Sequence, residues 1–284
     1  MVSQKLGRYD EAMDYYNKSL DLGLKDFDKL NKDILYRKGV ILTEIGKYKE
    51  AIGPFDKALK IDPNFIDVLN NQGAIFLRLG RYDEALECFD RVLKLDKKNF
   101  DALGGKHAAL MGLDKYQESL EYLDEILKIN SQLPQLWVLR GTLLNQLGRY
   151  EESLECSDKA LKFNQNDPIA LGIKGKSYTL LKRYNEALES LENALELNPK
   201  NSEAWLNKGL TLLKFEHFEE SLNCFEKSLN LNSKNAHAWS GKALALEKLG
   251  KPEEALNSYN KALELNPDLN FAKESKKNIL SSKV

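Results

Sequence analysis

Tyr48, Tyr82, Tyr116, Tyr150, Tyr184 and Phe218 follow one another at intervals of 34 residues, and Pro252 takes the next place in the series. A fixed period of this size means stacked supersecondary units rather than one enclosed core. Other columns run in phase with the first. Small residues recur as Gly39, Gly73, Gly141, Gly175, Gly209 and Ala243, and again as Ala51, Ala85, Ser119, Ser153, Ala187, Ser221 and Ala255.

Within one period, residues 66–99, the apolar Leu69, Phe76 and Leu79 share a helical face with Gly73, while Tyr82, Ala85, Leu86, Phe89, Val92 and Leu93 share the face of a second helix. Each repeat is therefore a helical hairpin, here helix A followed by helix B. Gly80 stands where helix A stops, and the acidic pair Asp83 and Glu84 suits the positive end of helix B. Pro63, Pro199 and Pro267 prevent helix B from continuing. Small residues at the Gly73 and Ala85 columns let the two helices approach, and Leu and Phe fill the neighbouring space. A hairpin this short has two sides to cover, and only neighbouring hairpins can cover them.

These columns resemble the tetratricopeptide repeat, with Trp or Leu, then Gly or Ala, then a large apolar residue on helix A, and Ala, aromatic, Ala and Pro on helix B. In residues 202–235 the matching residues are Trp205, Gly209, Leu212, Ser221, Phe225 and Ser228, with Ser233 in the place of the proline. The resemblance spans nearly the whole chain. It implies an all-α fold, a right-handed superhelical solenoid of antiparallel helical hairpins. Residues 1–31 form a partial first repeat with a longer connection. Seven complete repeats follow at 32–65, 66–99, 100–133, 134–167, 168–201, 202–235 and 236–269, and residues 270–284 form a capping helix. Three positions depart from the pattern and are expected to pack less regularly: His107 in the glycine column, Ser157 in the aromatic column and Pro252 in the tyrosine column. A basic column, Lys38, Lys106, Arg140, Lys174, Lys208 and Lys242 with Gln72 as its exception, is expected to pair with helix B glutamates.

Composition and motif spacing exclude most chemistry. Lys plus Arg number 42 against 43 Asp plus Glu, a net charge of -1, so no general phosphate-binding surface is implied. No apolar run approaches a membrane span of about 18 residues and no signal peptide is visible, so the chain reads as cytoplasmic. The string GIKGKS at 172–177 has Ala170 where a phosphate loop needs its first glycine, and it falls inside a helix. Cys88, Cys156 and Cys224 fall in alternate repeats, beyond disulfide or shared-metal reach. His107, His217 and His237 lie in different repeats without ligand spacing. The reading is a non-enzymatic chain with no catalytic, metal or cofactor residues.

What remains is surface. The resemblance implies that the A helices line a concave groove holding a peptide or a partner's helix. Its places carry over to Tyr36, Val40, Asn70, Ala74, Leu77, Gly104, Ala108 and Met111, then to Val138, Thr142, Asn145, Lys176, Thr179, Leu206, Leu210, Leu213, Ser240 and Leu244. Asp33, Asp67, Asp101 and Glu203 give one edge an acidic character. A partner with spaced apolar anchors and basic residues toward that edge is expected. The adaptor type that clamps a chaperone's C-terminal carboxylate needs a lysine at a first helix A place that here reads Tyr36, Asn70, Gly104, Val138, Gly172, Leu206 and Ser240, so that class is disfavoured. Single-stranded RNA would need a strongly basic groove, and Lys176 stands beside an acidic edge.

The first repeat raises an alternative. Tyr9 to Tyr48 is 39 residues rather than 34, and helix A of this repeat is represented by only a few residues. Tyr9, Ala12, Met13 and Tyr16 are left short of their usual partner, so this end is a candidate self-association surface in a structural array.

Overall fold

Helix A and helix B alternate along the chain because each carries one apolar stripe and a terminator at each end. The computed structural model describes residue 9, residues 11–18 and residues 28–281, and the connection between the first two helices lies outside the described residues. The chain divides into two compact units, residues 1–131 and 132–284. In the first, α1 (residues 11–18) precedes α2 (Asp28–Glu44), α3 (Tyr48–Ile61), α4 (Ile66–Arg78), α5 (Tyr82–Leu95), α6 (Phe100–Gly112) and α7 (Tyr116–Ile129). The second holds α8 (Pro134–Gln146), α9 (Tyr150–Phe163), α10 (Pro168–Leu180), α11 (Tyr184–Leu197), α12 (Ser202–Lys214), α13 (Phe218–Leu231), α14 (Ala236–Lys248), α15 (Pro252–Leu265) and α16 (Asn270–Ser281). All regular structure among the described residues is helical.

The helix starts are chemically marked. Asn99, Asp167, Asn201 and Asn235 cap α6, α10, α12 and α14 by accepting from backbone amides of the first turn. Pro134, Pro168 and Pro252 occupy first-turn positions, where a missing N–H costs nothing. Pro252 therefore starts α15 regularly.

Each A-to-B turn ends on a residue in the left-handed region. Gly46, Gly80, Gly148 and Gly250 have φ between 71° and 80°, and the same place is held by Asp114 (57°), Lys182 (61°) and Glu216 (64°). The geometry closes helix A: Gly80 donates to the Leu77 carbonyl and Arg81 to that of Phe76. A side chain in this region costs about 1–2 kcal/mol, offset in part by the greater chain entropy glycine loses on folding. Asp114→Gly, Lys182→Gly and Glu216→Gly are each expected to stabilise their unit by about 0.5–1 kcal/mol, read as a higher denaturation midpoint.

Sequential helices pack together within each unit, and A helices also touch across repeats, α2 to α4 to α6 in the first unit and α8 to α10 to α12 to α14 in the second. B helices of successive repeats approach less closely, so the A-helix face is the inner, concave one in each unit.

Glycines set the close approaches. A methyl group at Gly73 would lie 2.7 Å from the Phe89 ring, and one at Gly105 only 2.2 Å from its other side. Gly209 and Gly241 bracket Phe225 in the same way. Serines in the helix B small column are buried and satisfied by helix A carbonyls twelve residues earlier: Ser153 donates to Gly141 and Ser221 to Gly209, both at 2.7 Å, and Ser119 to His107 at 3.0 Å. His107 thus fits the glycine column by facing Ser119, whose Oγ lies 2.8 Å from Nδ1, and burial pushes its imidazole below the ordinary pKa.

The basic column bonds to the helix B of the preceding repeat. Lys106 reaches Asp90 at 2.5 Å, Lys174 reaches Asp158 at 2.8 Å, Lys208 reaches Glu192 at 2.8 Å and Lys242 reaches Glu226 at 2.9 Å. Gln72 bonds to Asp56 in the same register. Aspartate serves as often as glutamate here. Lys38 instead donates to Asn17, and the Arg140 guanidinium lies 3.2 Å from the Cys156 sulfur. Burial pulls the Lys106 ammonium down, but its bonds to Asp90 and Tyr122 outweigh that and hold it above its ordinary value. These cations are spent on stacking repeats rather than lining the groove.

Candidate functional site

The concave face of each unit is built from A-helix positions one turn apart, and the small residues between them leave depressions. In the first unit Asn70, Asn71, Ala74, Leu77, Phe89, Asp101 and Gly105 line a cavity of about 310 Å³. A second, of about 260 Å³, is lined by Tyr16, Tyr36, Arg37, Val40, Ile41 and Glu44. In the second unit a cavity of about 340 Å³ lies across α8, α10 and α12, lined by Thr142, Asn145, Ile169, Gly172, Ile173, Lys176, Asn201, Glu203, Ala204 and Asn207.

The sequence-predicted residues divide accordingly. Tyr36 and Val40 share one cavity, Asn70, Ala74, Leu77 and Asp101 another, and Thr142, Asn145, Lys176 and Glu203 the third. Gly104, Ala108, Met111, Val138, Leu210, Leu213 and Leu244 keep partial or full exposure outside these cavities, as do Asp33 and Asp67. Leu206 is buried and packs with Phe225, Leu229, Ala238 and Ala245, so its side chain belongs to the core. Thr179 is also buried, its hydroxyl on the Gly175 carbonyl and 2.7 Å from that of Thr211, and Ser240 is 8% exposed. Of the N-terminal residues, Met13 packs against the core of α2 and α3, Tyr16 lines a cavity with Tyr36, and Tyr9 and Ala12 are half-buried.

Two amides carry the polar character of this face. Asn70 donates to the Asn99 side chain at 3.2 Å, yet its own Oδ1 is buried without a partner. Asn145, 7% exposed, accepts from Ser177 at 3.0 Å, yet its Nδ2 is buried without a partner. Ser177 has one proton and three neighbours, Asn145, Ser153 and the Ile173 carbonyl. Turning the Asn145 amide over would satisfy the nitrogen and strand the oxygen instead. An unpaired buried polar atom costs about 1–3 kcal/mol, so both amides are groups awaiting a partner. Burial, with the charge of Asp67 adding to it, pushes the Tyr36 phenol above its ordinary pKa.

Ile169, Ile173, Asn201, Ala204 and Asn207 were not legible as site residues. Asn201 reads as a helix cap, and Ile173 and Asn207 occupy a column that elsewhere holds Gly105 and Gly241. The signal available was that column's change from glycine to larger residues. Cys88 and Cys224 are not reactive thiols in this arrangement: burial pushes Cys88 up to about 11 and raises Cys224 as well. Residues 172–177 lie inside α10, with their amides in its ladder. No described helix is long and apolar enough to cross a membrane.

Models of the tetratricopeptide repeat match residues 33–65, 66–99 and 236–269, and a second set matches 1–22, 134–167 and 202–235. A TPR repeat model matches 175–214. No curated protein matches the sequence. Among solved structures, a tetratricopeptide repeat protein from Parabacteroides merdae is 18% identical, with a TM-score of 0.79 over 88% of this chain and 99% of that one. A chain of the APC/C hetero-tetramer Cut9-Hcn1 is 17% identical, with a TM-score of 0.68 over 96% of this chain and 52% of that one. The TPR protein TTC0263 of Thermus thermophilus is 22% identical, with a TM-score of 0.56 over 62% and 95%. At these identities the likeness concerns the fold.

Proposed function

Because the chain belongs to the tetratricopeptide repeat family, whose fold generally serves as a protein-interaction scaffold, we propose that it is a non-enzymatic adaptor binding extended peptide on the concave A-helix face of each unit. The observation that carries this reading is the pair of half-satisfied amides, Asn70 and Asn145, each with one buried atom unpaired and each lining a cavity on that face. Elsewhere the buried serines and threonines are satisfied within the fold, as Ser153, Ser221 and Thr211 illustrate. A peptide main chain offers a donor and an acceptor at every residue, which is what two such amides lack.

Leu77 and Leu210 also pack against core clusters, so groove variants there would confuse binding with folding. Ala74 and Thr142 are exposed. A random peptide library retained by the full chain is expected to lose at least about tenfold in retention, or about 1.4 kcal/mol, on an Ala74→Glu and Thr142→Glu double variant. Glu121→Lys, on the exposed side of α7, should leave retention unchanged. Retention indifferent to the groove pair, or abolished by Glu121→Lys, would remove this reading.

A further inference from the structure

The cavity of the second unit carries one free charge of each sign. Lys176 on α10 and Glu203 in the first turn of α12 both line it, and neither forms an ion pair among the described residues. The neighbouring lysines Lys174 and Lys208 are committed to Asp158 and Glu192. Ile169, Ile173 and Ala204 give the same lining an apolar part, and Ile169 is 57% exposed. Asn145 lines the cavity as well, 7% exposed and with one amide atom unpaired. The volume, about 340 Å³, lies at the lower end of ligand pockets and suits a few residues of chain rather than a helix.

We propose that this cavity selects an extended peptide segment bearing one acidic and one basic side chain two residues apart. The acid seats on Lys176, the base on Glu203, and the intervening main chain on Asn145. The inference rests on the groove reading above and specifies its ligand. Neighbouring A helices lie roughly 8–10 Å apart. In an extended chain, side chains two residues apart leave the same face about 7 Å apart, and the length of the lysine and glutamate side chains spans the difference. Ile173 and Ala204 line the same cavity and offer apolar surface to the aliphatic stems of the ligand's side chains. A like-charged pair of ligand side chains would set one of them against its own sign, so the cavity discriminates by charge order as well as by net charge.

The test uses the full chain and three acetylated, amidated, fluorescein-labelled pentapeptides: Gly-Asp-Ala-Lys-Gly, its charge-swapped form Gly-Lys-Ala-Asp-Gly, and neutral Gly-Asn-Ala-Gln-Gly. Polarisation titrations should show one of the two charged orders binding at least about tenfold more tightly than the neutral peptide. In Lys176→Glu combined with Glu203→Lys, the preferred order should invert. Asn145→Leu, which places the leucine found at the equivalent Leu77 and Leu213, should weaken both charged peptides while melting no lower than the parent. Equal binding of charged and neutral peptides, or an order preference unmoved by the double reversal, would overturn the proposal. Library peptides still lost on the Ala74→Glu and Thr142→Glu variant in that case would leave the groove reading standing. A chain that retains no library peptide would overturn both.

Discussion

Phe225→Ala should destabilise the C-terminal unit by about 3–5 kcal/mol. The ring is fully buried, with Gly209 of its own repeat on one side and Gly241 of the next on the other. Neither glycine has a side chain that could lean into the space, and closing it would require the backbones of α12 and α14 to move together. The cavity therefore stays open, the condition under which large-to-small substitutions cost most. Leu206, Leu229 and Ala238 lose their contact surface with it. Phe225→Leu should cost much less, about 1 kcal/mol, because Leu123 and Leu191 already serve at this place in other repeats. Since repeats are coupled only to their neighbours, the alanine variant should also separate the unfolding of α14 to α16 from that of α8 to α12. Urea denaturation followed by circular dichroism reads both effects; a loss under about 1 kcal/mol would show that the site collapses.

The same residue shows why the fold was open to sequence reading and the site was less so. Repetition supplies many observations of each position: a column that reads Phe55, Phe89, Phe225 and Tyr259 at one spacing identifies a core place whatever any single residue would suggest. Turn places are legible for the same reason, and Asp114, Lys182 and Glu216 adopt the glycine conformation although nothing in their chemistry asks for it. Groove places rest on register alone, and register does not report depth. Thus Leu206 and Thr179 share columns with the half-buried Val138 and Met111 yet are themselves buried, Leu206 beside Phe225 and Thr179 against Thr211. The lysine column is legible in the same way as the core: a row of long basic side chains at one helix A place meets an acid sixteen residues earlier, in the preceding helix B, although that acid is aspartate as often as the expected glutamate.

Departures from the period carry information that the period cannot. Ser157 stands in the aromatic column, and the place beside Gly141 that a phenyl ring fills in other repeats is reached by Ile173, whose Cγ2 would lie 3.4 Å from a methyl group on Gly141. In the column of Ile173 the repeats that follow Phe89 and Phe225 have Gly105 and Gly241. Large and small have exchanged across one interface, which conserves its volume and turns an isoleucine toward the cavity that α8, α10 and α12 enclose. Ser157→Phe should therefore overpack this interface and cost about 1–3 kcal/mol. Adding Ile173→Gly should return at least about 1 kcal/mol of it, although glycine inside a helix ordinarily costs about that much. The sign is the decisive feature, because Ile173→Gly made alone must destabilise through lost burial and lower helix propensity. A destabilising substitution that becomes stabilising in the presence of its partner is the signature of a shared space, and denaturation of the four chains measures it. If the two costs simply add, Ile173 does not occupy the place of the missing ring. If they compensate, the double variant should also weaken whatever peptide the cavity binds, since removing Ile173 strips apolar surface from the cavity that Lys176 and Glu203 line.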